Sequence, residues 1–199
     1  MSADPPARPA SPASTDIAGL VRALRQGDRD AFARLVRLHQ ARIYNLALGY
    51  VKQEDEARDL TQDIFLTVFR RIGDLADENK FSAWLYQLAL NHCRNRYRSL
   101  SRRGFFNSQP VDDPVVEPLL RSEATPEKAL EKKQLETQVR TAIAALSPAE
   151  REIVLLRDLQ GLSYEEIGDI LAIPLGTVKS KLNRARVALA SRLKRHGGR

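Results

Sequence analysis

From about Asp16 to about Leu100, apolar residues return at helical spacing and strand-like alternation is almost absent. Thr15 or Asp16 is placed to cap a first helix, and Gly27 ends it. Asp28 restarts the chain, and Phe32, Leu35, Val36, Ile43, Leu46 and Ala47 form an apolar stripe that runs to about Tyr50. A third helix is predicted from about Asp55 to Ile72, with Leu60, Ile64, Val68 and Ile72 at i, i+4 spacing. A fourth, from about Ser82 to Leu100, turns Leu85, Leu88 and Ala89 toward the same core. Four helices of this length enclose one small core.

The pattern then breaks. Residues 102–124 carry Pro110, Pro114 and Pro118 with no sustained period, which predicts a linker, acidic in its middle at Asp112, Asp113 and Glu117. Thr125-Pro126-Glu127 places a cap residue before a proline at the first helical position, and a helix follows to about Leu146. Ser147-Pro148-Ala149-Glu150 and Ser163-Tyr164-Glu165-Glu166 both read as capping boxes, the helix opened by the first closing at Gly161. The turn Ala172-Ile173-Pro174 joins a short helix to a last one, from about Leu175 to Lys194, giving a helix-turn-helix. The expectation is an all-α chain of two small helical domains, residues 16–101 and 125–199, joined by a flexible linker at 102–124. Residues 1–15, rich in Pro, Ala and Ser, read as a disordered tail.

Charge sharpens this picture. The 199-residue chain carries a net charge of +7, which favours an anionic partner. No Asp or Glu falls between Phe81 and Val111, where Arg94, Arg96, Arg98, Arg102 and Arg103 lie, nor from Ile170 onward, where Lys179, Lys181, Arg184, Arg186, Arg192, Lys194, Arg195 and Arg199 lie. Either tract alone reads equally well as a solvated basic face; two of them, one on the helix-turn-helix, point to nucleic acid. Val178, Leu182, Ala185 and Leu189 share the inner face of the last helix. Thr177, Lys179, Ser180, Lys181, Asn183 and Arg184 are left for the major groove, where Arg or Lys suits guanine and Asn suits adenine. Phe81, Trp84, Tyr86 and Tyr97 lie beside the first basic tract, as stacking partners for unpaired bases or as core. Trp84, on one face with Leu88, is expected in the core, and Tyr86 is expected to be the exposed aromatic.

Other chemistry finds little footing. Cys93 is the only cysteine, which excludes an intrachain disulfide and any site built on paired cysteines, and fits a reducing cytoplasm. There is no GxSxG, Walker-type loop or HExxH; His39, His92 and His196 are scattered, and Glu165-Glu166 sits where carboxylates suit a helix start. No cofactor is expected, and neither is an enzyme. No run of apolar residues is long enough for a membrane helix, so no membrane insertion is expected.

The stretches DLTQDIFL (59–66) and FSAWLYQLALNHCRNRYR (81–98) resemble the promoter-melting domain of extracytoplasmic-function sigma factors. Residues 146–189 resemble the same family's second, helix-turn-helix domain. The resemblance implies a non-catalytic subunit that binds core RNA polymerase and directs it to promoter DNA, both duplex and melted strand, under the control of an anti-sigma factor. It implies that Asp59, Gln62, Asp63 and Phe65 dock on the polymerase, with Leu60 and Ile64 in the core. It places Asn79 and Phe81 in a loop that captures a flipped base, and Asn91, Arg94, Asn95 and Arg98 on −10 DNA. Lys179, Ser180, Asn183 and Arg184 match positions that read the −35 element, although Asn183 stands where related sequences often carry a bulky apolar residue. Two alternatives stay open: a stand-alone helix-turn-helix regulator of duplex DNA, and an interaction module occupied mainly by an inhibitor.

Overall fold

The computed structural model describes residues 16–103, 135 and 137–196. The Pro-rich tail, the linker and the predicted start of the second domain at Thr125 lie outside the described residues. Every regular element among the described residues is helical.

The first domain is built from α1 (Ile17–Arg25), α2 (Arg29–Val51), α3 (Glu54–Arg71) and α4 (Phe81–Arg102). Side chains set the boundaries. Asp16 accepts the Gly19 amide proton at 2.8 Å, and Asp28 accepts those of Asp30 and Ala31 at 2.8 and 3.2 Å, so each caps the helix that follows it. Between them Gly27 sits at φ 90°, a left-handed conformation that glycine takes without penalty. Two single 3-10 turns, Ile72–Asp74 and Glu78–Lys80, lead from α3 into α4. The stripes predicted for these helices meet: Leu35, Ile43, Leu46, Ile64, Val68 and Leu85 are all fully buried.

The second domain comprises α5 (137–144), α6 (Pro148–Val154), a π-helical turn (Leu155–Leu159), α7 (Tyr164–Leu171) and α8 (Leu175–His196). Both capping boxes form, with Ser147 paired to Glu150 and Ser163 to Glu166. Ala172, at φ 53°, makes the left-handed step between α7 and α8. Gly168 lets the turn close: a Cβ there would stand 3.1 Å from the Ile173 carbonyl oxygen. Val178, Leu182 and Ala185 are buried beneath α8, as its pattern predicts.

The two domains do not stand apart. Their apolar residues merge in one cluster, with α4 packed on α7 and α2 on the π-helical turn. Leu155 fits against Gly49 in the last turn of α2, where a Cβ would lie only 2.6 Å from the leucine Cδ2. A helix-interior glycine costs about 1 kcal/mol against alanine; here the missing side chain is the hole that Leu155 fills.

Within the first domain, Leu85→Ala removes three buried carbon atoms at a fully buried site. It is expected to destabilise by about 2–5 kcal/mol, read by denaturant unfolding.

Candidate nucleic-acid interface

The basic face of α4 forms as its spacing requires. Asn91, Asn95 and Arg98 are exposed and Arg94 is half-buried. Asn91 Oδ1 accepts from Arg94 Nη1 at 2.9 Å, and Asn95 Oδ1 from Arg98 Nη1 at 3.4 Å. The two amide–guanidinium pairs are spaced one turn apart, so they present donors in a row along the helix.

At the N-terminal end of α4, Asp77 organises the preceding loop. Its Oδ1 accepts both the Asn79 backbone N–H at 3.0 Å and the Asn79 Nδ2 at 3.1 Å. A carboxylate only accepts, so the Asn79 amide is turned with its nitrogen inward and its Oδ1 as the remaining acceptor. The loop is tied to α1 by Arg25, which donates to Glu78 at 2.6 Å and to the Ile72 carbonyl at 3.3 Å. Phe81 departs from expectation. It is fully buried, 5.6 Å from the His39 ring and 6.2 Å from that of Trp84. As the first residue of α4, it turns inward to seat the helix and does not offer its ring to a base.

Tyr86 is a second correction. It was expected to be the exposed aromatic and is 2% exposed, because the second domain covers this side of α4. Its hydroxyl donates to Gln160 Oε1 at 3.3 Å, while Gln160 Nε2 donates to the Arg42 carbonyl at 3.1 Å. Trp84 is partly buried against the core, as expected.

On α8, Lys179, Ser180, Asn183 and Arg184 are exposed together, with Thr177 and Lys181 half-buried at the edges. Ser180 donates its hydroxyl to the Thr177 carbonyl at 3.1 Å and Arg184 Nε reaches the Ser180 carbonyl at 3.4 Å. This polar and basic surface of the helix-turn-helix is therefore exposed.

The acidic face of α3 also forms, with one exchange. Asp59, Gln62 and Asp63 are exposed, whereas Phe65 is 6% exposed. Because α3 packs on both α2 and α4, its buried arc is wide enough to take Phe65 together with Leu60 and Ile64. Leu66, 49% exposed, falls instead on the face of Asp59, Gln62 and Asp63, and Phe69 is 44% exposed one turn on. The i, i+3, i+4, i+7 spacing from Asp59 to Leu66 carried that signal in the sequence.

A charged contact between the domains is centred on Arg94. Its Nε and Nη2 donate to the two carboxylate oxygens of Glu152 at 2.6 and 2.8 Å, a bidentate pair with Glu152 only 7% exposed. That bond to Glu152 raises the pKa of Arg94 above its ordinary value. Next to it Arg151, 1% exposed, donates to the Ala144 and Leu146 carbonyls at the end of α5. Its guanidinium lies 4.3 Å from the Tyr97 ring centroid and 5.6 Å from that of Tyr50, a cation–π contact across the domain boundary.

An all-helical body with one amide-and-arginine face, one helix-turn-helix face and a separate acidic face has the make-up of a two-domain DNA-binding factor. Comparison with known proteins supplies the family. Residues 35–103 match Sigma-70 region 2 and residues 136–189 match Sigma-70, region 4. The RNA polymerase sigma-H factor of Pseudomonas aeruginosa is 32% identical over 173 residues, 85% of this chain and 90% of the relative. The ECF RNA polymerase sigma-E factor of Haemophilus influenzae is 33% identical over 182 residues, 87% of this chain and 93% of the relative. The chain belongs to the sigma-70 family, in its extracytoplasmic-function branch. Among solved structures, CnrH in complex with the cytosolic domain of CnrY superposes with a TM-score of 0.66 at 23% identity, over 89% of this chain and 97% of that one. The sigma factor RpoE of Bartonella quintana, in complex with the anti-sigma factor NepR, gives 0.59 at 23% identity over 82% and 96%. Both share its fold.

One buried group beneath the interface titrates in an accessible range. Burial first, and the nearby Arg42 second, push the pKa of His39 down to about 4, and its Nε2 has no hydrogen-bond partner among the described residues. The folded state thus resists a proton that the unfolded chain takes below pH about 6.5. Stability is expected to fall by about 3 kcal/mol as pH drops from about 6.5 to about 4. The His39→Leu variant should lose that part of the acid slope in denaturant titrations.

Proposed function

We propose that this chain binds core RNA polymerase in the cytoplasm and directs it to promoters, reading a −35 element with α8 and a −10 element with α4 and the Asp77–Lys80 loop. The observation that carries this reading is the presence, in one chain of the sigma-70 family, of two separate helices with exposed amide and basic side chains and an exposed acidic-apolar face on α3. Asp59, Gln62, Asp63 and Leu66 form the polymerase contact, a carboxylate-rich patch with one apolar anchor suited to a basic, partly apolar helix. Asn91, Arg94, Asn95 and Arg98 track the −10 strand, using guanidinium groups on phosphates and amides on base edges. Asn79, held by Asp77, presents an acceptor oxygen in the base-capturing loop and so selects a base that carries an exocyclic amino group. The fold shared with RpoE, solved in complex with the anti-sigma factor NepR, supports control by an anti-sigma factor.

Run-off transcription on a library of promoter fragments, with bacterial core polymerase and with or without this protein, tests the reading. Start-site-specific transcripts that require the protein are expected. Silence together with tight binding of the free protein to duplex DNA would favour a stand-alone regulator.

Two substitutions address the named surfaces. Arg184→Ala should cost about 1–3 kcal/mol in promoter binding and relax preference at one base pair; an equal loss on every sequence would make Arg184 a phosphate contact. Asp63→Arg should weaken co-purification with core polymerase while leaving the helical circular dichroism signal unchanged.

A further inference from the structure

The connection between α3 and α4 is anchored in the core at both ends and polar in between. Ile72 and Leu75 are buried at its start, and Phe81 is buried where α4 begins. From 76 to 80 no side chain is buried, and Asn79 and Lys80 are exposed. Bonds inside this stretch fix its shape: the Lys80 N–H donates to the Asp77 carbonyl at 3.0 Å, and Asp77 holds both the backbone and the side chain of Asn79. They leave open the direction in which the whole turn points.

Arg25, the last residue of α1, supplies a hold from outside. Its Nη1 donates to Glu78 Oε1 and its Nε to the Ile72 carbonyl, so one guanidinium clasps both ends of the connection. The planar fork sets distance and angle together, which a single-point ammonium does not. Both partners are largely covered, their side chains 28% and 25% exposed. Glu78 stands between Asp77 and Asn79, so where the clasp puts Glu78 the Asn79 amide follows. Arg22, one turn earlier on α1, pairs with Asp16 at 3.9 Å instead.

The connection has room to move once unclasped. A cleft of about 620 Å³ opens between α1 and the end of α3, with Arg25, Phe69, Ile72 and Gly73 in its lining. A Cβ on Gly73 would meet nothing within 4 Å. Packing therefore does not support this side of the connection, and its direction is left to the polar clasp.

We propose that Arg25 is a positioning residue for base selection: through Glu78 it aims the Asn79 acceptor at the captured base, so that selectivity at that base depends on α1. The proposal rests on the reading of the Asp77–Lys80 loop as the one that captures a base. A hydrogen bond that reads a base weakens steeply with misalignment. A partly exposed ion pair, by contrast, contributes little to global stability. Removing the clasp therefore degrades the readout while the domain stays folded.

Holoenzyme binding to a fluorescent single-stranded oligonucleotide, carrying the non-template −10 segment of a promoter that the protein directs, tests this as a ratio. At each position in turn, cytosine, adenine or guanine is replaced by uracil, purine or hypoxanthine, which lack the exocyclic amino group. Wild type should lose about tenfold in affinity at one position. Asn79→Ala should erase that penalty, and Arg22→Ala should keep it. Arg25→Ala and Glu78→Ala should each reduce it to about threefold, and together reduce it no further. A merely structural role would weaken all oligonucleotides alike and leave the ratio untouched. An unchanged ratio in Arg25→Ala, with the ratio lost in Asn79→Ala, would overturn the proposal. Additive losses from Arg25 and Glu78 would overturn Glu78 as the route. A wild-type holoenzyme with no amino-dependent position would instead overturn the loop reading on which the proposal rests.

Discussion

A guanidinium group engaged through Nε and a terminal nitrogen has one planar edge committed, and whichever anion holds that edge excludes another. Arg94 stands in this position. In this structure the edge belongs to Glu152, a carboxylate that is itself almost buried and that needs a cation to remain so. Much of the domain arrangement follows from that pairing. It fixes α6 against α4, brings Arg151 under the Tyr97 ring, and sets the π-helical turn over α2, where Gly49 receives Leu155.

The contact is polar and apolar by turns: glutamine and tyrosine hydrogen bonds, one bidentate ion pair and a leucine in a notch lie beside apolar residues that join the two domains in one cluster. Leu35, Ile43, Ile64 and Leu85 in the first, and Ile153, Leu156, Ile167 and Val178 in the second, are wholly buried aliphatics. The π-helical turn contributes here as well: with Gln160 N–H bonded to the Leu155 carbonyl at 3.0 Å, the wider turn leaves Leu155 and the Gln160 side chain both directed at the first domain.

The helices themselves were legible in the sequence because their signals are local. A stripe at 3.6-residue spacing, an Asp or Ser at an N-cap and a glycine at a positive φ each act within a turn or two, and they placed α1 to α4 and α6 to α8 to within a few residues. The surfaces were less legible wherever burial depends on a distant element. Tyr86 looks exposed if α4 is amphipathic toward its own domain alone; Gln160, 74 positions away, closes over it. Phe65 looks like a docking aromatic until α3 is seen to be flanked by both α2 and α4, and Phe81 looks available to a base until His39 is placed behind it. The polar residues of the same surfaces, Asn79, Asn91, Asn95, Arg98, Asn183 and Arg184, needed no such knowledge, since nothing rewards burying them.

The most direct test of the account is to prevent the domains from parting. Gln87 and Asp169 are in hydrogen-bond contact across the boundary, and cysteines at these two positions, joined by a disulfide or a short thiol crosslinker, would hold α4 on α7. In run-off transcription with core polymerase, the locked chain should produce no promoter-specific transcript, and cleaving the link with reductant should restore it. Transcription by the locked chain at the level of the reduced one would contradict the reading in which α4 and α8 meet two separated promoter elements at once.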